Sequence, residues 1–229
     1  EADAAPPAPF GVSLAAEITL LRLLVDVAGS GDTSQLHQRL VRADTRDVDT
    51  GASSVSAWSS SEPGRATFVS LGGVRTAAIS EETMRRVAAA VREELLEIAG
   101  WAPGSRELEG FNGRVLSHLE AMKRSTARFL HNPPDLGKRG KHDEWLEHLQ
   151  ESHRCSPAPP GGRVPLGMDR EEREVASVLS SAGANPWAAL IERWGLTARD
   201  PILVGCRADP AEKERVRAER GERLGAHLG

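Results

Sequence analysis

Residues Leu14 to Val27 form the most apolar stretch of this chain, and only Glu17, Arg22 and Asp26 break it with charge. Read as a helix, the stretch is apolar around most of its circumference, with Thr19, Arg22 and Asp26 marking a narrow polar strip. Such a helix is stable in water only when other elements cover it on most sides, so it is expected at the centre of a core. Ser13 is placed to accept from the first free backbone amides, and Gly29 to end the helix. With three charges, the stretch falls short of the roughly 18 uninterrupted apolar residues of a membrane span, and no membrane insertion is expected.

The elements that would cover it are mostly helical. A short helix is expected over Ser34 to Ala43. Ser80 caps a helix over Glu81 to Ala99, in which Met84, Val87, Ala88, Val91, Leu95 and Ile98 share one face. Ile79 is placed to staple onto Met84, and Glu82 and Arg86 stand in the favourable i, i+4 order. A longer helix lies within Arg106 to Leu130, striped by Leu108, Phe111, Val115, Leu119, Met122 and Phe129 and stopped by Asn132-Pro133-Pro134. Another runs from about Lys141 to Arg154. Asp169, with Glu172 three residues on, reads as a capping box for a helix ending near Gly183, and Asn185-Pro186 opens one over Trp187 to Trp194. A charged helix after Asp209-Pro210 closes the chain.

One region breaks this pattern. Val55 and Ala57, ahead of Trp58, alternate with serines as an edge strand does. Ala66–Leu71 and Val74–Ile79 flank Gly72-Gly73, which reads as a tight hairpin because glycine accepts positive φ without steric cost. The expected fold class is therefore mainly α (α+β), with a small antiparallel hairpin or sheet near residues 54–79. The expected organisation is a Pro/Ala arm over 1–12, a main helical domain over 13–155, a Pro/Gly linker over 156–168 and a C-terminal helical unit over 169–229.

Composition narrows the function classes. The 229 residues carry a net charge of −4, which disfavours a bulk nucleic-acid coat or a membrane-surface protein. With no Tyr, four Phe and five Trp, the chain lacks the rings of a single-strand stacking platform. Its two cysteines make no disulfide framework, so a reducing compartment is the default. The chain opens on Glu1, so any N-terminal targeting segment is expected to be already gone, and the compartment stays unassigned.

Potential chemistry concentrates between Lys123 and Cys155. Lys123, Arg124, Arg128, Lys138, Arg139 and Lys141 form a basic segment suited to phosphates or an acidic partner, with a solvated basic turn as the plainer reading. Gly137 to Lys141 only resembles a phosphate loop, because Asp135 and His142 occupy positions that need Gly and Ser or Thr. His142, His148, His153 and Cys155 look like metal ligands on paper, but a continuous helix spreads them over different faces. Glu144, Glu147, His148 and Glu151 are expected on a solvated acidic face, with Trp145, Leu146 and Leu149 turned to the core. No metal and no cofactor is expected. Catalytic candidates are His148, His153, Cys155 and Glu144, with Cys155 near the linker. Cys206, after the apolar Pro201–Gly205 run, is expected to be buried and inert. Residues 169–194 lack the polar recognition face of a DNA-binding helix pair, and Trp187, Leu190, Ile191 and Trp194 are expected to pack inward.

No nucleophile elbow or dinucleotide fingerprint is present, and the balance falls against an enzyme. The leading expectation is a non-enzymatic structural or assembly subunit working through protein contacts or self-assembly. An enzyme with a His/Glu/Cys site around 144–155 and nucleic-acid binding through 123–141 are the alternatives.

Overall fold

The computed structural model describes residues 10–60, 66–131, 141–155, 166–181, 183–209 and 211–228. Among these lie eight α-helices and one two-stranded antiparallel sheet, a mainly α fold. The expected arm over 1–12 and linker over 156–168 fall largely outside the described residues.

Helix α1 (Leu14–Gly29) is the centre, as its sequence requires. The Ser13 side chain accepts from the Ala16 amide and caps it. Helices α2 (Gln35–Leu40), α4 (Arg106–His131), α5 (Lys141–Cys155) and α6 (Asp169–Ser180) and strand β1 (Ser54–Ser59) all pack on α1. Leu20, Leu23, Leu24 and Val27 meet Phe111 and Val115 of α4, Val175 of α6, and Trp187, Leu190 and Ile191 of α7 (Pro186–Arg193) in one buried cluster. Leu21 and Val25, on another side of α1, pack on Ala57 of β1. Gly29 ends the helix against the sheet, where a Cβ would collide with Ala57.

Two buried polar links fix this core. Glu17, almost wholly buried on α1, pairs with Arg193 at the end of α7. Asn185 joins the start of α7 to the end of α3 (Glu81–Gly100). Its Nδ2 donates to the Ile98 carbonyl at 2.7 Å and to the carbonyls of Ala99 and Trp101, and its Oδ1 accepts from the Trp187 amide. A single side chain thus satisfies carbonyls that a helix end leaves open and amides that a helix start leaves open.

The sheet pairs β1 with β2 (Thr67–Gly72), with Ala57 opposite Val69 and Trp58 opposite Phe68. The expected hairpin across Gly72-Gly73 does not form. Gly73 does take a positive φ of 71°, but it turns the chain out of the sheet into a 3-10 turn over Thr76–Ala78. The strand partner is upstream, and β2 reaches it across residues 60–66. The inner face places Val55, Val69 and Leu71 over Leu36, Leu40 and Ala90, while Trp58 and Phe68 stack on the outer face with ring centroids 5.4 Å apart.

Other local expectations shift by small amounts. Ser80 caps α3 through the Thr83 amide, but the exposed pair on its first turn is Glu81–Arg85 rather than Glu82–Arg86. Met168, not Asp169, occupies the cap position of α6 and makes no side-chain cap bond, because Asp169 and Glu172 turn instead to Lys123. The last helix, α8, runs Glu212–Leu228.

Candidate functional site

Helix α5 is turned from the expected orientation, with Trp145 inward as expected but the leucines not. Leu146 and Leu149 are exposed, while His148 and Glu151 face the body. The reason is on α1. Arg22, part of the polar strip in an otherwise apolar helix, reaches Glu151 at 3.1 Å and draws the acidic face of α5 inward. Trp145 stacks on Phe129 of α4 at 4.9 Å, and His148 meets the same ring edge-on.

These contacts frame a cleft between α1, α4, α5 and the turn before α6. A cavity of about 280 Å³ is lined by Thr19, Arg22, Met122, Thr126, His148, Glu151, Met168 and Glu171, among others. A neighbouring depression of about 370 Å³ shares Arg22, Thr126, His148 and Glu151 with it. The His148 Nε2–H donates to the Leu166 carbonyl at 3.1 Å, which leaves Nδ1 as the acceptor nitrogen of the neutral ring. Thr126 donates to the Met168 sulfur, and one carboxylate oxygen of Glu171 is buried without a hydrogen-bond partner. The arrangement offers a base, a cation and carboxylates around a small half-apolar space.

Of the other catalytic candidates, only His153 has a described side chain, and it lies away from the cleft. His153 is exposed, about 140° around the helix from His148. The side chains of Glu144, Lys141, His142 and Cys155 and all of Lys138 and Arg139 lie outside the described residues. Among the described residues, no three His, Cys, Asp or Glu side chains gather as a metal-binding group. The cleft residues that sequence reasoning missed are Thr126, Met168 and Glu171. The one available signal was the Thr19–Arg22 strip on α1, which had to face something polar.

Much of the described basic segment is engaged within the chain. Lys123 bonds to Glu172 and to Asp169, and these carboxylates raise its pKa, Glu172 foremost. Arg124 pairs with Glu120 at 3.5 Å, and Arg128 donates to the Arg124 carbonyl.

A second surface lies on helix α3. Asp200 pairs with Arg92 on α3 at 3.5 Å, and Arg207 donates to the Ile79 carbonyl just before α3 begins. Between these two points the chain runs along α3 with Ile202 93% exposed, Leu203 37% and Val204 78%. At Gly205 a Cβ would meet Ile79 and Met84 at 2.9 and 3.0 Å. Exposure therefore alternates along the segment, with Ile202 and Val204 well exposed, Leu203 less so and Gly205 turned toward α3, the period of a strand. Among the described residues, no backbone group of 201–208 is paired with another backbone group. Cys206 is exposed and free, against the expectation that it is buried, because the apolar run before it lies on the surface of α3 rather than in the core. Helix α8 follows, exposed at every described side chain, and its ion pairs, Arg215 with Asp209 and Glu212 and Arg223 with Glu219, are all local.

No known protein family matches this chain, and neither a curated protein nor a solved structure does. No helix among the described residues is long and apolar enough to cross a membrane.

Proposed function

We propose that this chain is a non-enzymatic assembly subunit that acts through protein–protein contacts, with residues 200–228 as its contact arm. The observation that carries this reading is the outward-facing Ile202 and Val204 on a stretched segment whose backbone pairs with no other backbone among the described residues. Unpaired strand backbone beside β-branched side chains is what strand-addition partners recognise. Helix α8 supports it, since a charged helix exposed at every described side chain is available to reach another chain. The test is the native mass and partner content of the full chain against a variant carrying Ile202→Lys and Val204→Lys. The reading expects the wild type to be multimeric or partner-bound and the variant to be a free monomer with an unchanged melting temperature. A wild type that is monomeric, binds no partner and matches the variant in every assay sinks it.

A second reading follows from the cleft. An enzyme would use His148 Nδ1 as general base, with Arg22 and Glu151 orienting a small polar substrate. It requires that His148→Gln abolish a turnover that His153→Gln leaves intact. The nucleic-acid alternative rests on Lys138, Arg139 and Lys141, and requires binding that weakens steeply with salt.

A further inference from the structure

The open edge of the sheet and the unpaired strand are complementary halves of one ladder. In an antiparallel pair, alternate residues point their amide and carbonyl toward the partner strand and away from it. The Ala57 amide and carbonyl both turn away from β2 and are taken by the Ser30 hydroxyl, at 3.0 and 3.1 Å. Ser60 and Ala66 bond across the ladder, which agrees with that phase. It follows that Thr67, Val69 and Leu71 on β2 point their backbone groups outward. Among the described residues nothing accepts or donates to them there. The two edges of the sheet differ in consequence: Ser30 and α1 close the β1 edge, and the β2 edge is open.

We infer that the occupant of the β2 edge is residues 201–205 of a second copy of this chain, added antiparallel with Leu203 opposite Val69. This rests on the assembly reading above and names its partner. The register follows from the side chains. Leu203, the less exposed of the three, falls on the inner face beside Val69. Ile202 and Val204 fall on the outer face, where Val204 stands opposite Phe68 and next to the Trp58–Phe68 stack, whose rings are 48% and 44% exposed. An aromatic and a β-branched side chain directly opposite each other are a favourable cross-strand pair. Pro201, without an amide, falls at the strand start, where a missing donor is tolerated. Within one copy the anchors at Arg92 and Ile79 hold the segment in stretched form, so its ordering is already done before it pairs.

One copy supplies both an edge and a strand, and the inference takes the exchange to be reciprocal, each copy giving its strand to the other's edge around a two-fold axis, which closes the assembly at a dimer rather than an open chain. Each strand alone buries well under the roughly 1,200 Å² of a stable interface, so association is reversible and depends on concentration.

The experiment uses full-length protein in a Cys155→Ser, Cys206→Ser background. Copies carrying Phe68→Cys are mixed with copies carrying Val204→Cys and allowed to oxidise. In parallel, the native mass of wild type and of Leu203→Pro is followed across concentration. The inference expects a covalent species of twice 24.6 kDa that is abundant in the mixture and scarce in either variant alone. It expects Leu203→Pro to remain monomeric where wild type is dimeric, with the same melting temperature, since the lost amide serves no bond inside the copy. A dimer that Leu203→Pro leaves intact and that gives no 68–204 disulfide overturns the inference while the assembly reading stands. A wild type that is monomeric throughout but holds a different protein through Ile202 and Val204 overturns it likewise. Monomeric wild type without any partner overturns both.

Discussion

Helix α1 and the segment 201–205 are both apolar stretches of the chain, yet α1 is almost entirely buried and 201–205 is on the surface. Backbone satisfaction accounts for much of the difference. Residues in α1 bond to their own neighbours four positions away, so the helix can be covered from every side without leaving polar groups behind. A strand cannot satisfy itself and is buried only where another strand stands beside it. The one sheet of the described residues lies elsewhere, so 201–205 keeps its backbone in water. Core apolar residues close the fold, whereas these later ones stay on the surface, where the proposed partner would meet them.

Substitutions can break that contrast in order of size. Trp187 is fully buried, meets Phe111 edge-on at 5.3 Å and donates its Nε1–H to Asn112. Trp187→Ala is expected to cost about 3–5 kcal/mol in denaturant unfolding. Asn185→Ala removes both the cap of α7 and the donor to the end of α3, with an expected loss of about 2 kcal/mol in the same measurement.

Glu174 tests how α6 is held to α1. Its carboxylate accepts from the Ser13 amide at 2.8 Å and the Ser13 hydroxyl at 2.5 Å, and pairs with Arg170. Partial burial acts to raise its pKa, but the Ser13 and Arg170 bonds outweigh that and hold it below the ordinary glutamate value. The folded pKa is depressed, so this contribution is present above the unfolded value of about 4.3 and fades as pH falls through the folded one. Glu174→Gln should cost about 1 kcal/mol at neutral pH, and the gap to wild type should narrow in acid. Glu94 carries the opposite sign. Burial, then the nearby Glu97 charge, raises its pKa despite Arg39. Its folded state holds the proton longer, so it disfavours folding as pH rises above the unfolded value, and Glu94→Gln should flatten that decline in a pH–melting series.

The smallest effect belongs to the arm. Ile202→Lys with Val204→Lys should leave unfolding within about 0.5 kcal/mol of wild type, since neither side chain supports the body. A larger loss would place the arm with the core and erase the contrast.

What the sequence disclosed follows the same division. Ser13, Ser80 and Asn185-Pro186 announced helix starts because capping is local chemistry, and the apolar face of α1 announced its place. The Gly72-Gly73 turn misled because glycine permits positive φ without saying where the chain goes next; the partner of β2 lay upstream, and pairing is not local. The face that α5 buries was hidden because a helix with Leu146 and Leu149 on one side and His148 and Glu151 on another can dock either way. Arg22, 129 residues away in another element, decided it. Cys206 was misplaced with the apolar run before it, since hydrophobicity alone does not tell a core strand from a contact strand.

Amide hydrogen exchange across the full chain, in dilute and in concentrated solution, tests the central contrast most directly. The account predicts strong protection of α1 at both concentrations. It predicts amides of Leu203 and Gly205 that exchange freely when dilute and gain protection, together with Val69 and Leu71, when concentrated, while those of Ile202 and Val204 stay exchangeable. Amides of Leu203 and Gly205 as protected as those of α1 in dilute solution, or unprotected at every concentration and with every partner, would contradict it.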